Sequence, residues 1–83
     1  PNPFNPSTRV TFSTPNSGQA RLVAYDIRGR LVATLVDGFV AAGRHEVIWN
    51  GRDASGRAVS GGLYLLRLDS GGQVAYGRIT LVR

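Results

Sequence analysis

A glycine or a proline interrupts every window of about a dozen residues before apolar positions can recur at helical spacing. That punctuation gives helix poor support and favours an all-β chain. Eleven glycines and four prolines fall between short runs that alternate apolar with polar residues, which is the pattern of half-buried strands joined by tight turns. At 83 residues the chain makes one domain, near the lower end of what a single hydrophobic core sustains.

The first strand is read over Thr8 to Ser13, with Val10 and Phe12 on one face, and Pro15-Asn16-Ser17-Gly18 supplies the turn after it. Gln19 to Ile27 places Leu22 and Ala24 on one face and Val23 and Tyr25 on the other. Arg28-Gly29 breaks the chain, and Leu31 to Val36 completes a hairpin with the preceding run. Asp37-Gly38 is expected to end that strand and Phe39 to Ala42 to form a separate short edge segment. His45, Val47 and Trp49 share a face of the next strand. The stretch Trp49 to Leu68 carries two turn signals, Asn50-Gly51 and Ser55-Gly56, and reads as a hairpin leading into Leu63 to Asp69. There, Tyr64, Leu66 and Leu68 face one way and Leu63, Leu65 and Arg67 the other. Ser70-Gly71-Gly72 turns into Val74 to Val82, where a change of apolar phase between Tyr76 and Ile79, beside Gly77, suggests a bulge. About seven antiparallel strands with turn signals roughly every ten residues describe an all-β, immunoglobulin- or fibronectin-III-like sandwich. There is no internal repeat.

Composition narrows the function. The net charge is +5 with arginine as the basic residue throughout, but the arginines stand singly, at positions 9, 21, 28, 30, 44, 52, 57, 67, 78 and 83. Nucleic-acid binding calls for basic residues clustered with exposed aromatics, and no such run exists. Charges or glycines cut every apolar run short of the about 18 residues of a membrane span, so no membrane insertion is expected. With no cysteine and one histidine, His45, a zinc site lacks ligands. Asn50 and Asp53 resemble part of a calcium loop, yet the acid that closes such a loop is missing, so an Asx turn accounts for them. The five acids are scattered over strand ends and turns, and no serine has an activating partner in sequence, so the chain reads as non-catalytic and without cofactor. Asn5-Pro6-Ser7 has the form of a glycan acceptor but proline bars it. Trp49 with Tyr25, Tyr64 and Tyr76 is weighed as an aromatic platform for a surface glycan, against core packing for Trp49 and Tyr64.

Pro1 to Pro6 is a stiff, extended lead-in whose apolar anchor is Phe4. From Pro1-Asn2-Pro3-Phe4-Asn5-Pro6-Ser7-Thr8, through Tyr25 to Val32, Gly43 to Gly56 and Gly62-Leu63-Tyr64, to Gly77 to Arg83, the chain resembles two related groups. These are the immunoglobulin-like domain of flagellar hook-capping proteins and the C-terminal sorting domains of type IX secretion cargo. Sorting domains commonly carry lysine near the end, where this chain has Arg78 and Arg83.

The resemblance implies one sandwich over 1–83, with 1–7 as the lead-in, forming the C-terminal module of a longer exported bacterial protein. A start at Pro1 with no methionine in the chain agrees with a processed or excised piece. The leading expectation is a secretion-sorting or surface-anchoring module recognised by the secretion machinery through Arg78, Ile79, Leu81 and Arg83, with Pro3 and Phe4. The alternative is an extracellular structural subunit that assembles with copies of itself, its extended ends adding to a neighbour's sheet edge. A third is an adhesion module for glycan or protein.

Overall fold

A computed structural model describes residues 7–82. Six antiparallel strands form two sheets with no helix among the described residues: β1 (Thr8–Thr14), β2 (Gly18–Tyr25), β3 (Leu31–Val40), β4 (Gly43–Trp49), β5 (Gly62–Ser70) and β6 (Gln73–Leu81). One sheet has the order β1-β4 and the other β3-β2-β5-β6, making the expected immunoglobulin-like sandwich. Consecutive strands pair only at β2–β3 and β5–β6, while the other connections cross between sheets.

The strand count is lower than expected because β3 runs straight through Asp37-Gly38. Asp37 pairs with Arg21 and Gly38 with Ala20, so the presumed break lies inside a ladder. A turn signal yields when cross-strand pairing satisfies the same backbone groups. The bulge expected beside Gly77 is also absent. The β5–β6 register is unbroken from Gly62↔Leu81 to Ser70↔Gln73, and Val74 and Tyr76 simply face outward. The irregularities lie in β3 instead. Its pairing with β2 skips Leu35 and then Val32, two bulges that bend this edge.

Alternation places Ala20, Leu22, Ala24, Tyr64, Leu66 and Leu68 inward, and these are buried. Two apolar clusters result. One joins Val10, Ala20, Leu22, Ala24, Leu66 and Leu68, and the other Ala33, Trp49, Tyr64 and Leu81; Leu35 and Ile79 pack against both. Trp49 and Tyr64 meet edge to face with ring centroids 4.9 Å apart. The Trp49 Nε1–H donates to the Arg52 carbonyl at 3.0 Å and the Tyr64 hydroxyl to the Ser60 carbonyl at 2.5 Å, so each buried ring keeps its polar end satisfied. These bonds tie the long β4–β5 connection to the core.

That connection is not the hairpin loop of two paired strands, since β4 and β5 belong to different sheets. It folds on itself as a miniature hairpin closed by an Arg52↔Ala58 bridge and a Val59 N–H to Gly51 carbonyl bond of 2.9 Å. Its Ala54 N–H then donates to the Val32 carbonyl at 3.1 Å, covering the bulged edge of β3.

Candidate functional site

The polar groups that sequence reading considered for chemistry are engaged in the scaffold. No group of three His, Asp or Glu side chains able to hold a metal occurs among the described residues. The His45 ring stacks on Phe12 at 5.1 Å and its Nε2 lies 2.6 Å from the Ala41 carbonyl, a corner that also accepts the Thr14 hydroxyl. Asn50 accepts the Arg52 N–H at 3.1 Å as an Asx turn. A broad depression of about 520 Å³ lies between the β1–β2 and β5–β6 turns. Its acids are engaged too, Asp37 by the Gln19 amide and Asp69 by a two-bond fork from Arg67. That fork holds the Arg67 guanidinium above its ordinary pKa.

At the opposite end a five-residue device occurs twice. Asp26-Ile27-Arg28-Gly29-Arg30 closes β2–β3, and Asp53-Ala54-Ser55-Gly56-Arg57 closes the miniature hairpin. In each, the Asp carbonyl accepts the Gly N–H at 2.9 Å and the Asp N–H donates to the closing Arg carbonyl. In each, Asp Oδ1 accepts the N–H groups two and four residues on. Gly29 and Gly56 have φ of 83° and 87°, the left-handed step that ends a type I turn with a bulge. The chain thus has an internal repeat at turn scale, missed by a search for longer periods. Its signal is an aspartate three residues before Gly-Arg.

Both carboxyl groups titrate below the ordinary aspartate range. The Arg30 N–H is the main cause at Asp26 and the Ser55 hydroxyl at Asp53. A depressed folded-state pKa means the contribution is complete above the unfolded value, about 3.9, and disappears as pH falls through the folded value. We expect Asp26→Asn with Asp53→Asn, which keeps the Oδ1 acceptor of each turn but gives up the Asp26 Oδ2 that accepts the Arg30 Nε–H, to flatten the acid limb of stability below about pH 4. Urea unfolding at a series of pH values measures this. Parallel acid limbs for the variant and the parent chain would refute the assignment.

Of the recognition residues expected from sequence, Pro3, Phe4 and Arg83 lie outside the described residues. The other three sit on β6 but face different ways. Arg78 is exposed on the outer sheet face opposite Leu65, Ile79 is half-buried facing inward, and Leu81 is 1% exposed in the core. Leu81 is therefore unavailable for recognition in the folded domain. The four aromatics do not form one platform either, since Trp49 and Tyr64 are in the core while Tyr76 is 77% exposed on the outer face.

The architecture has relatives. A family model described as the FlgD Ig-like domain matches residues 2–76. The chain belongs to the FlgD Ig-like domain family. Among solved structures, FlgD from Xanthomonas campestris superposes with a TM-score of 0.69 at 24% identity, covering 93% of this chain and 56% of that one. FlgD from P. aeruginosa gives a TM-score of 0.63 at 20% identity, covering 92% of this chain and 60% of that one. The chain therefore spans little more than half the length of either. At these identities the superpositions establish the fold. No curated protein matches the sequence.

Membership of the FlgD Ig-like family supports the hook-capping side of the sequence resemblance and overturns the expectation of a secretion-sorting or anchoring module. The reason for the error is physical. The turn device, the Trp49 core and the basic final strand are scaffold features, and a scaffold shared by two groups does not choose between their roles.

Proposed function

We propose that this FlgD Ig-like domain is a non-catalytic structural module of an exported hook-capping protein, working outside the cell in an assembly with copies of itself. The observation that carries this reading is the family match over residues 2–76. The solved Xanthomonas campestris relative is described in terms of hook capping essential for flagellar assembly. The geometry agrees, because the turn and corner polar groups of Asp26, Asp53, Thr14 and Asn50 are bonded within the chain while several exposed apolar side chains share one strand face. Leu63, Leu65, Val74 and Tyr76 face outward from the four-stranded sheet, beside Arg67 and Arg78. Tyrosine and arginine among aliphatics is the composition of a protein-binding surface.

The experiment is a domain exchange in Xanthomonas campestris, with this chain replacing the corresponding part of the FlgD there. Hook assembly and swimming retained by the chimera is the expected result. A chimera that is exported and stable but builds no hooks overturns the reading.

A further inference from the structure

We propose that β6 is a self-complementary edge through which two copies of this chain pair antiparallel, Gly77 opposite Gly77, continuing the four-stranded sheet across a two-fold axis. The pairing rests on the hook-capping reading only in requiring that copies meet.

The two edges of the four-stranded sheet are treated differently. β3 carries two bulges, and at one of them the Val32 carbonyl is taken by the Ala54 N–H of the β4–β5 connection. Bulges and loop cover are the devices that keep an edge from accepting another strand. β6 has neither. It is nine residues long, in unbroken register with β5, free of proline, and unpaired on its other side among the described residues. Beside it, between β6 and β1, a groove of about 200 Å³ opens onto Val10, Phe12, Leu66 and Leu68. It is open because the inward positions of β6 here are Ala75 and Gly77, both exposed although they face the core side.

The sequence of β6 selects a second β6 as the occupant, and selects the register. A two-fold axis perpendicular to the sheet sets inward residues opposite inward ones, so the axis must pass through a residue position. Centred on Gly77, the full strand pairs from Gln73 to Leu81. Tyr76 of each copy then lies opposite Arg78 of the other on the outer face, a cation–π pairing made twice. Among the described residues Arg78 has no ion-pair partner to give up. On the inner face Ile79 of one copy lies opposite Ala75 of the other, a large side chain where the groove has room. Val74 lies opposite Thr80, a pair of β-branched residues suited to a sheet. Centring on Arg78 would instead oppose two like charges. Centring on Tyr76 sets Val74 against Arg78 and leaves the strand's end unpaired. A single strand edge is a narrow interface, of the weak class, so the dimer forms in proportion to concentration.

Cysteine trapping reads the register directly, since the natural chain has no cysteine. Gly77 has no positive φ, and a Cβ there meets nothing within 4 Å, so Gly77→Cys fits the fold. Under mild oxidation, Gly77→Cys is expected to form a disulfide dimer at least about tenfold faster than a Ser17→Cys control in the β1–β2 turn. Ala75→Cys and Ile79→Cys alone are expected to behave like the control, because each lies about 13 Å from its own copy at about 3.3 Å per residue. Mixed together, they are expected to cross-link to each other. The proposal is overturned if Gly77→Cys is no faster than the control. It is also overturned if Ala75→Cys or Ile79→Cys self-links as fast as Gly77→Cys. A chimera that builds hooks while Gly77→Cys fails to trap removes this edge pairing and leaves the hook-capping reading standing; trapping with a failed chimera does the reverse.

Discussion

Trp49→Ala is expected to lower the unfolding free energy by about 3–5 kcal/mol, the usual cost of emptying a large aromatic site. For 83 residues the whole stability is roughly 4–12 kcal/mol, so this one change threatens the fold at ordinary temperature. Three losses coincide at Trp49. Its 2%-exposed ring leaves a cavity in the cluster with Ala33, Tyr64 and Leu81, and the edge-to-face contact with Tyr64 disappears. The Arg52 carbonyl also loses its indole donor, which unties the β4–β5 connection from the core. Trp49→Phe separates these losses, keeping an aromatic ring and dropping the donor. It is expected to cost about 1–2 kcal/mol, most of it from the lost hydrogen bond and the smaller ring. Urea denaturation followed by far-ultraviolet circular dichroism measures both variants, because they lack the tryptophan that would report by fluorescence. A loss below about 1 kcal/mol in Trp49→Ala would show that the ring is not part of the core.

The residues that could be placed from sequence are those whose alternation coincides with burial. In β5, Tyr64, Leu66 and Leu68 are buried and Leu63 and Leu65 exposed, and β4 buries Trp49 at the end of the His45-Val47-Trp49 face. The reading failed where polar and apolar cues separated from position in the sheet. Asp37-Gly38 looks like a terminator, but Asp37 is held by Gln19 on the outer face while Gly38 passes opposite Ala20. Val74 and Tyr76 look like core residues out of phase with Ile79 and Leu81, yet they are apolar side chains on the solvent face. Alternation assigns residues to faces and cannot say that the outer face is also apolar. The two Asp-to-Gly-Arg turns were legible in principle, since the same spacing recurs, but the bonds that make them equivalent are backbone geometry. Family membership was readable from residues spread along the chain. The choice between sorting and hook capping was not, because the residues that carry the resemblance build the scaffold.

The inward residues of β6 divide that strand into an anchored end and an open end, and the division predicts how it fails. Leu81 is 1% exposed against Ala33, Trp49 and Tyr64, whereas Ala75 and Gly77 face a groove. Leu81→Ala is therefore expected to cost about 2–5 kcal/mol, while Thr80→Ala, one position away on the outer face, stays within about 0.5 kcal/mol of the parent chain. Because β6 is an edge paired only to β5 among the described residues, losing its anchor loosens it ahead of the rest. Hydrogen exchange should then show the amides of β6 in Leu81→Ala opening at lower free energy than those of β2, which is paired on both sides. Loss spread evenly over β2, β5 and β6 would mean that the sandwich opens as one unit and that Leu81 is no local anchor. An early opening confined to β6 would place the strand that carries Tyr76 and Arg78 at the low-stability end of the fold. Pairing with a second copy would protect the alternate β6 amides that point away from β5, whereas Leu81→Ala exposes those bonded to β5, so concentration-dependent exchange in β6 reads the two effects on separate sets of amides in one experiment.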